Sequence, residues 1–135
     1  MTDPTGSSST AADLCGRYLA ALADRDVEAL AALFAEDSVS EFPFSPVAGK
    51  RIVKGVPAEA EFLAYILGLL EHIEISELEI IAVTRDLAFA EFASDCVTRG
   101  GDSYQNRYIV RVDSEAGRIT RWREYFDPKA TETVK

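Results

Sequence analysis

Glu124 is the residue whose neighbours best suit it to proton chemistry. Alternation along Arg118–Phe126 puts Thr120, Trp122, Glu124 and Phe126 on one strand face, against Ile119, Arg121, Arg123 and Tyr125. On the strand before it, Tyr104, Asn106, Tyr108, Val110 and Val112 share a face opposite Gln105, Arg107, Ile109 and Arg111. A symmetric hairpin about Glu115 predicts Asn106 across from Glu124 and Tyr108 across from Trp122. A carboxylate between Trp122 and Phe126 on a helix-covered face loses hydration. That raises its pKa toward neutrality, where a Glu serves as general acid or base. The plainer reading has Glu124 at the open end of the sheet, solvated or bonded to Asn106.

The opposite face mixes Ile109 and Ile119 with Arg107, Arg111, Arg121 and Arg123. It is too apolar for pure solvent and too charged for a core. It reads as a homodimer interface, with a solvated surface as the alternative. Other chemistries lack residues. One histidine, His72, cannot build a multi-histidine metal centre, and Cys15 and Cys96 lie too far apart for ligand spacing. Neither a Gly-x-Ser-x-Gly elbow nor a Gly-rich phosphate loop is present, so neither metal nor nucleotide cofactor is expected. With 14 basic and 23 acidic residues the net charge is −9, which opposes nucleic acid and anionic membranes. No apolar run nears the ~20 residues of a membrane span, and the first ten residues lack a signal-peptide pattern. A cytoplasmic protein is expected.

The elements that must position these residues follow in order. At 135 residues, one domain is expected, residues 11–128, between a disordered lead (1–10) and a flexible tail (129–135). Leu14, Tyr18, Ala21 and Leu22 recur at helical spacing over Ala11–Ala23, and Asp26 is an N-cap for a helix over Val27–Ala35. A strand at Ser38–Phe42 stops at Pro43, a loop spans Ser45–Gly55, and a third helix runs from Pro57 to about Leu70. Alternation then predicts strands at Ile73–Val83, Leu87–Val97, Tyr104–Val112 and Arg118–Phe126, with turns at Thr84–Asp86, Arg99–Asp102 and Asp113–Gly117. Helices first and a meander after indicate an α+β fold, with three helices on one face of an antiparallel sheet.

Several strings resemble the SnoaL-like proteins of the nuclear transport factor 2-like superfamily, which includes polyketide cyclases, ketosteroid isomerases and limonene epoxide hydrolases. They are Arg17–Leu22, Ala32–Asp37, Glu41–Pro46 and, the most specific, Gly117–Pro128. The resemblance implies a cone, a curved antiparallel sheet wrapping three helices around a ligand cavity, and usually a dimer through the outer sheet face.

Residue by residue, the resemblance transfers unevenly. Phe42 stands where ketosteroid isomerases carry their base, and Tyr18 matches their tyrosine donor. Tyr108 stands where isomerases and cyclases carry an aspartate. The Asp-Arg-Asp set of limonene epoxide hydrolases falls near Ser94, Phe92 and Glu124, and Asp95 is an acid one position off that only a β-bulge would turn inward. Phenazine-pathway members pair an Asn with an Arg-Glu-aromatic string, as Asn106 and Arg123-Glu124-Tyr125 do here. The expected catalytic set is therefore Glu124, Tyr108 and Asn106. Phe42, Phe44, Phe92, Trp122 and Tyr18 are expected pocket walls, and His72 either caps the third helix or enters the cavity. Two functions remain open. One is a cofactor-independent isomerase, cyclase or epoxide hydrolase acting on an apolar oxygenated metabolite; the other is a non-catalytic binding or assembly module.

Overall fold

The computed structural model describes residues 9–46 and 51–134; residues 1–8 of the expected lead, 47–50 of the expected loop and Lys135 of the tail lie outside them. Helices α1 (Ala11–Ala23), α2 (Val27–Ala31) and α3 (Val56–Leu69) pack on one sheet. Its strands are β1 (Phe34–Glu41), β2 (Ile52–Lys54), β3 (Leu70–Thr84), β4 (Leu87–Thr98), β5 (Ser103–Glu115) and β6 (Arg118–Phe126). They lie side by side in the order β2-β1-β6-β5-β4-β3. The fold is α+β as expected, but the sheet is mixed, because β1 runs parallel to β6.

Local signals explain the helices. Thr10 caps α1 through a reciprocal box with Asp13 (both bonds 3.1 Å), so it belongs to the helix rather than to a disordered lead. Asp26 caps α2 by accepting from the Ala29 amide at 3.0 Å. The expected helix to Ala35 stops at Ala31, because Phe34 already pairs with Ile119 and the Leu33 carbonyl accepts the Ile119 amide at 2.8 Å. Sheet pairing outweighs helix propensity there. Within the expected loop, Ile52–Lys54 forms β2 against Val39–Glu41.

The β5–β6 hairpin turns on Ala116 (φ 51°) and Gly117 (φ 75°), so Glu115 pairs with Arg118. One extra β6 residue then intervenes, since Ser114 pairs with Ile119 but Asp113 with Arg121. This bulge at Thr120 turns both Ile119 and Trp122 inward, and both are fully buried. Ile119 is thus core, not part of the outer face as expected. Tyr108 consequently lies opposite Phe126, and Val110 opposite Glu124. The predicted pairs Asn106–Glu124 and Tyr108–Trp122 are each off by four residues. An even shift keeps every β5 side chain on its predicted face.

The core joins Leu14, Leu30, Val110, Val112, Ile119 and Trp122 beneath the helices. Burying each aliphatic side chain contributes roughly 1.5–3 kcal/mol. Outside the sheet, Glu41 bridges Arg121 (3.0 Å) and Arg123 (3.2 Å), while Arg107 pairs with Glu77 (3.0 Å) and Ile109 is half exposed. The segment expected as a tail forms a 3-10 turn over Ala130–Thr133, and Val134 packs on the core. Among the described residues, no helix is long and apolar enough to cross a membrane.

Candidate active site

Between α1, α3 and the inner sheet face lies a cavity of about 590 Å³. Its α3 wall is mainly apolar, with Phe62, Leu63, Ile66 and Leu69. Polar groups enter from the sheet and from α1, and Tyr65 of α3, Ser45, Thr131 and the exposed Glu132 of the C-terminal 3-10 turn add others.

Glu124 lines the cavity, as its strand parity predicts. The indole Nε1 of Trp122 donates to its Oε1 at 3.1 Å, leaving Oε2 for the cavity. Loss of water pushes the Glu124 pKa up to about 7, and the indole bond partly opposes that rise. Trp122 is itself fully buried and stacks on Tyr18, with centroids 3.7 Å apart and planes 23° off parallel. The indole donor is therefore held rigidly. Trp122 stands behind the wall rather than in it, so its expected ligand contact is replaced by a bond to the acid.

Tyr18 lines the cavity and is only 5 % exposed. Burial, and then the nearby Glu124, hold its phenol well above the ordinary value, so it remains a proton donor. Tyr108 also faces the cavity, stacked on Phe92 at 4.7 Å. It is a diagonal neighbour of Glu124 across the β5–β6 pair, a Cα separation of ~7–8 Å. Its hydroxyl meets Ser94 Oγ at 2.8 Å and the Tyr104 hydroxyl at 3.4 Å. Burial raises both phenols' pKa values. Phe42 and Phe92 are walls, as expected.

Four expected residues stand elsewhere. Asn106 is buried on the inner face, but its amide is taken up by backbone and by the Tyr104 hydroxyl. Nδ2 donates to the Asp127 carbonyl (3.0 Å) and to the Tyr104 hydroxyl (2.9 Å), while Oδ1 accepts the Arg107 and Asp127 amides (2.8 and 2.9 Å). Phe44 is 54 % exposed and packs edge-on against Tyr125 outside the cavity. His72 is not at a helix end, because α3 stops at Leu69; it is an exposed residue of β3, off the cavity wall. Asp95 pairs with Glu74 and Gln105 in an unbroken stretch of register, so no bulge turns it inward and it is exposed.

The residues missed from sequence are Ser94, Cys96 and Tyr104 on the wall and Glu59 behind it. The first three share strand parity with Phe92 and Tyr108, a signal that was available. Glu59, on α3, is 1 % exposed, and its Oε2 accepts from Ser40 (2.8 Å) and Ser38 (3.2 Å). Burial raises its pKa to about 7, against the pull of those serines.

Comparison with known proteins gives this architecture a lineage. The chain is 28 % identical over 117 residues to the uncharacterized protein YesE of Bacillus subtilis (strain 168), covering 83 % of this chain and 78 % of that one. A proposed isomerase of Bacillus subtilis superposes with a TM-score of 0.83 at 23 % identity, over 91 % of each chain. A proposed polyketide cyclase of Xanthomonas campestris pv. campestris gives 0.78 at 21 %, over 93 % of this chain and 96 % of that one. An epoxide hydrolase of the LEH-like type from M. tuberculosis gives 0.72 at 22 %, over 89 % and 84 %. At such identities the superpositions establish the fold alone. The SnoaL-like domain model matches residues 16–122, and with the mixed sheet, the three helices and the cavity between them, the chain belongs to the SnoaL-like domain family.

Proposed function

We propose that this chain is an acid/base enzyme of the isomerase, cyclase or epoxide-hydrolase type, needing no cofactor and acting on an uncharged, apolar, oxygenated small molecule in the cavity. One observation carries the reading: a carboxyl with a pKa near 7 that faces a mainly apolar cavity, with one oxygen unengaged among the described residues. Such a group is partly ionised and partly protonated at neutral pH, and so both accepts and returns a proton. Glu124 takes a proton from carbon or from an attacking water. Tyr18 and Tyr108 hold the substrate oxygen where negative charge develops. No Lys, Arg or His is among the described lining residues, which disfavours carboxylate and phosphate ligands. A screen of enones and epoxides tests the reading. Any substrate found must lose turnover with Glu124→Gln, and undiminished turnover overturns it.

A second reading is a binding module without catalysis. It is favoured by Phe42, Phe92 and Ser94, which stand where relatives carry further acid/base groups. Ligand affinity would then be flat across pH 5–9, whereas the enzyme reading requires a single inflection near pH 7.

A homodimer through the outer sheet face is part of the proposal. Ile81, Val83 and Ile109 are about half exposed there, near the charged Arg107, Arg121 and Arg123. Light scattering on wild type and Ile109→Glu tests it, and a monomeric wild type overturns it.

A further inference from the structure

We propose that Asn106, which does not touch the cavity, is a positioning residue that makes the Ser94–Tyr108–Tyr104 corner a hydrogen-bond donor toward the ligand. This rests on the reading that the cavity binds an oxygenated ligand, not on Glu124 moving a proton.

The argument is a count of hydrogens. Tyr104, Tyr108 and Ser94 all line the cavity and form a chain of hydroxyls, with contacts of 3.4 and 2.8 Å. Three hydroxyls bring three hydrogens, and the two links use two of them. The third must leave the chain. At the Tyr104 end it meets Asn106 Nδ2, and the Asp127 backbone fixes which amide atom stands there. Oδ1 accepts the Asp127 amide at 2.9 Å, and Nδ2 donates to the Asp127 carbonyl at 3.0 Å. An amide nitrogen donates and does not accept, so Tyr104 receives a hydrogen from Asn106 at 2.9 Å and cannot return its own. The other outlet is the Cys96 sulfur, which Ser94 meets in a side-chain hydrogen bond and which is only a weak acceptor. The surplus hydrogen therefore has no strong acceptor within the protein whichever way the links run, and a ligand oxygen in the cavity outcompetes the thiol for it. Hydroxyls in series polarise one another, so the donor is stronger than a lone serine or tyrosine. The corner selects ligands with an acceptor oxygen at that end.

The test compares two probes of one shape, 2-acetylnaphthalene and 2-isopropenylnaphthalene, which differ by a carbonyl oxygen against a methylene. Their affinities are read from the quenching of Trp122 fluorescence. Wild type is expected to favour the ketone roughly tenfold, the worth of one hydrogen bond. In Asn106→Asp the carboxylate accepts the Tyr104 hydrogen, the chain drains away from the cavity, and the ratio falls to about one. Adding Tyr104→Phe to that variant cuts the drain and restores the preference; a merely structural lesion would not be repaired this way. If Asn106→Asp does not fold, Asn106→Ala serves. A water in the vacated place takes either polarity, and the ratio falls at least threefold, whereas general loosening weakens both probes alike. A wild-type ratio near one, or a ratio unchanged in a folded Asn106 variant, overturns the proposal. Failure of both probes to bind overturns the underlying cavity reading too. Glu124→Gln turnover leaves the ratio argument untouched, so the two failures are distinguishable.

Discussion

Glu124 and Glu59 are both carboxylic acids taken out of water, and burial pushes each to about 7. Their surroundings differ. Glu124 has one oxygen held by an indole and the other left for the cavity, whereas Glu59 is 1 % exposed, with two serine hydroxyls on one oxygen. A perturbed pKa therefore does not mark a catalytic acid by itself. What separates the two is whether a reacting atom can approach. Glu59 ties α3 to β1 and so keeps Phe62, Leu63 and Ile66 in the cavity wall. It serves the site as structure, and Glu124 serves it as chemistry.

The sharpest way to break this contrast is kinetic. On any substrate found, Glu124→Gln is expected to lower kcat by roughly 10²–10⁴, while Glu59→Gln changes it less than about threefold. Equal losses would erase the distinction. The second effect is on stability, where the two acids should behave alike. Each has its pKa raised in the folded state from 4.5, so between about pH 4.5 and 7 the native protein binds more protons than the unfolded chain. Stability contributed by these groups is then full below pH 4.5 and lost as pH rises to 7. Urea melts at pH 5 and 8 should show each Gln variant losing less stability than wild type, by about 1–3 kcal/mol. Saturating ligand should shift the Glu124 share of that titration and leave the Glu59 share in place.

How far the site was legible depended on parity and failed on register. Glu124 and Tyr108 came out on the inner face because alternation along a strand survives any even shift. The Asn106–Glu124 pairing failed because it required the turn's position and the bulge at Thr120, and neither leaves a mark that composition or periodicity reads. Ile119 was placed outside by the same omission. Glu59 was invisible for another reason. In α3, apolar residues surround the helix rather than forming one stripe, so no face announced itself as inner. His72 was misplaced because Leu70 and Glu71 already belong to β3.

Two smaller effects sharpen the contrast. Trp122→Phe removes the indole donor to Glu124, a bond that lowers its pKa. The pH profile of turnover should therefore move up, by about one unit, with the Glu59 titration unmoved. Smallest of all, His72→Gln and Asp95→Asn, both exposed and off the wall, should leave kcat/KM within about twofold.

β3 is the outermost strand at its end of the sheet, and no further strand pairs with it among the described residues. The backbone N–H and C=O groups on the side of this fifteen-residue strand turned away from β4 are a template on which another chain can add. Glu77, at φ 55° where the register slips between Ser76 and Glu79, breaks that template in the middle, and Glu71, Glu74 and Glu79 charge its flanks. The stretch Ile80–Thr84 has no such guard, and Ile81 and Val83 are more than half exposed within it. When acid neutralises the glutamates, we expect fibrillar association to begin there, so the protein's shelf life would be set by five residues remote from its chemistry.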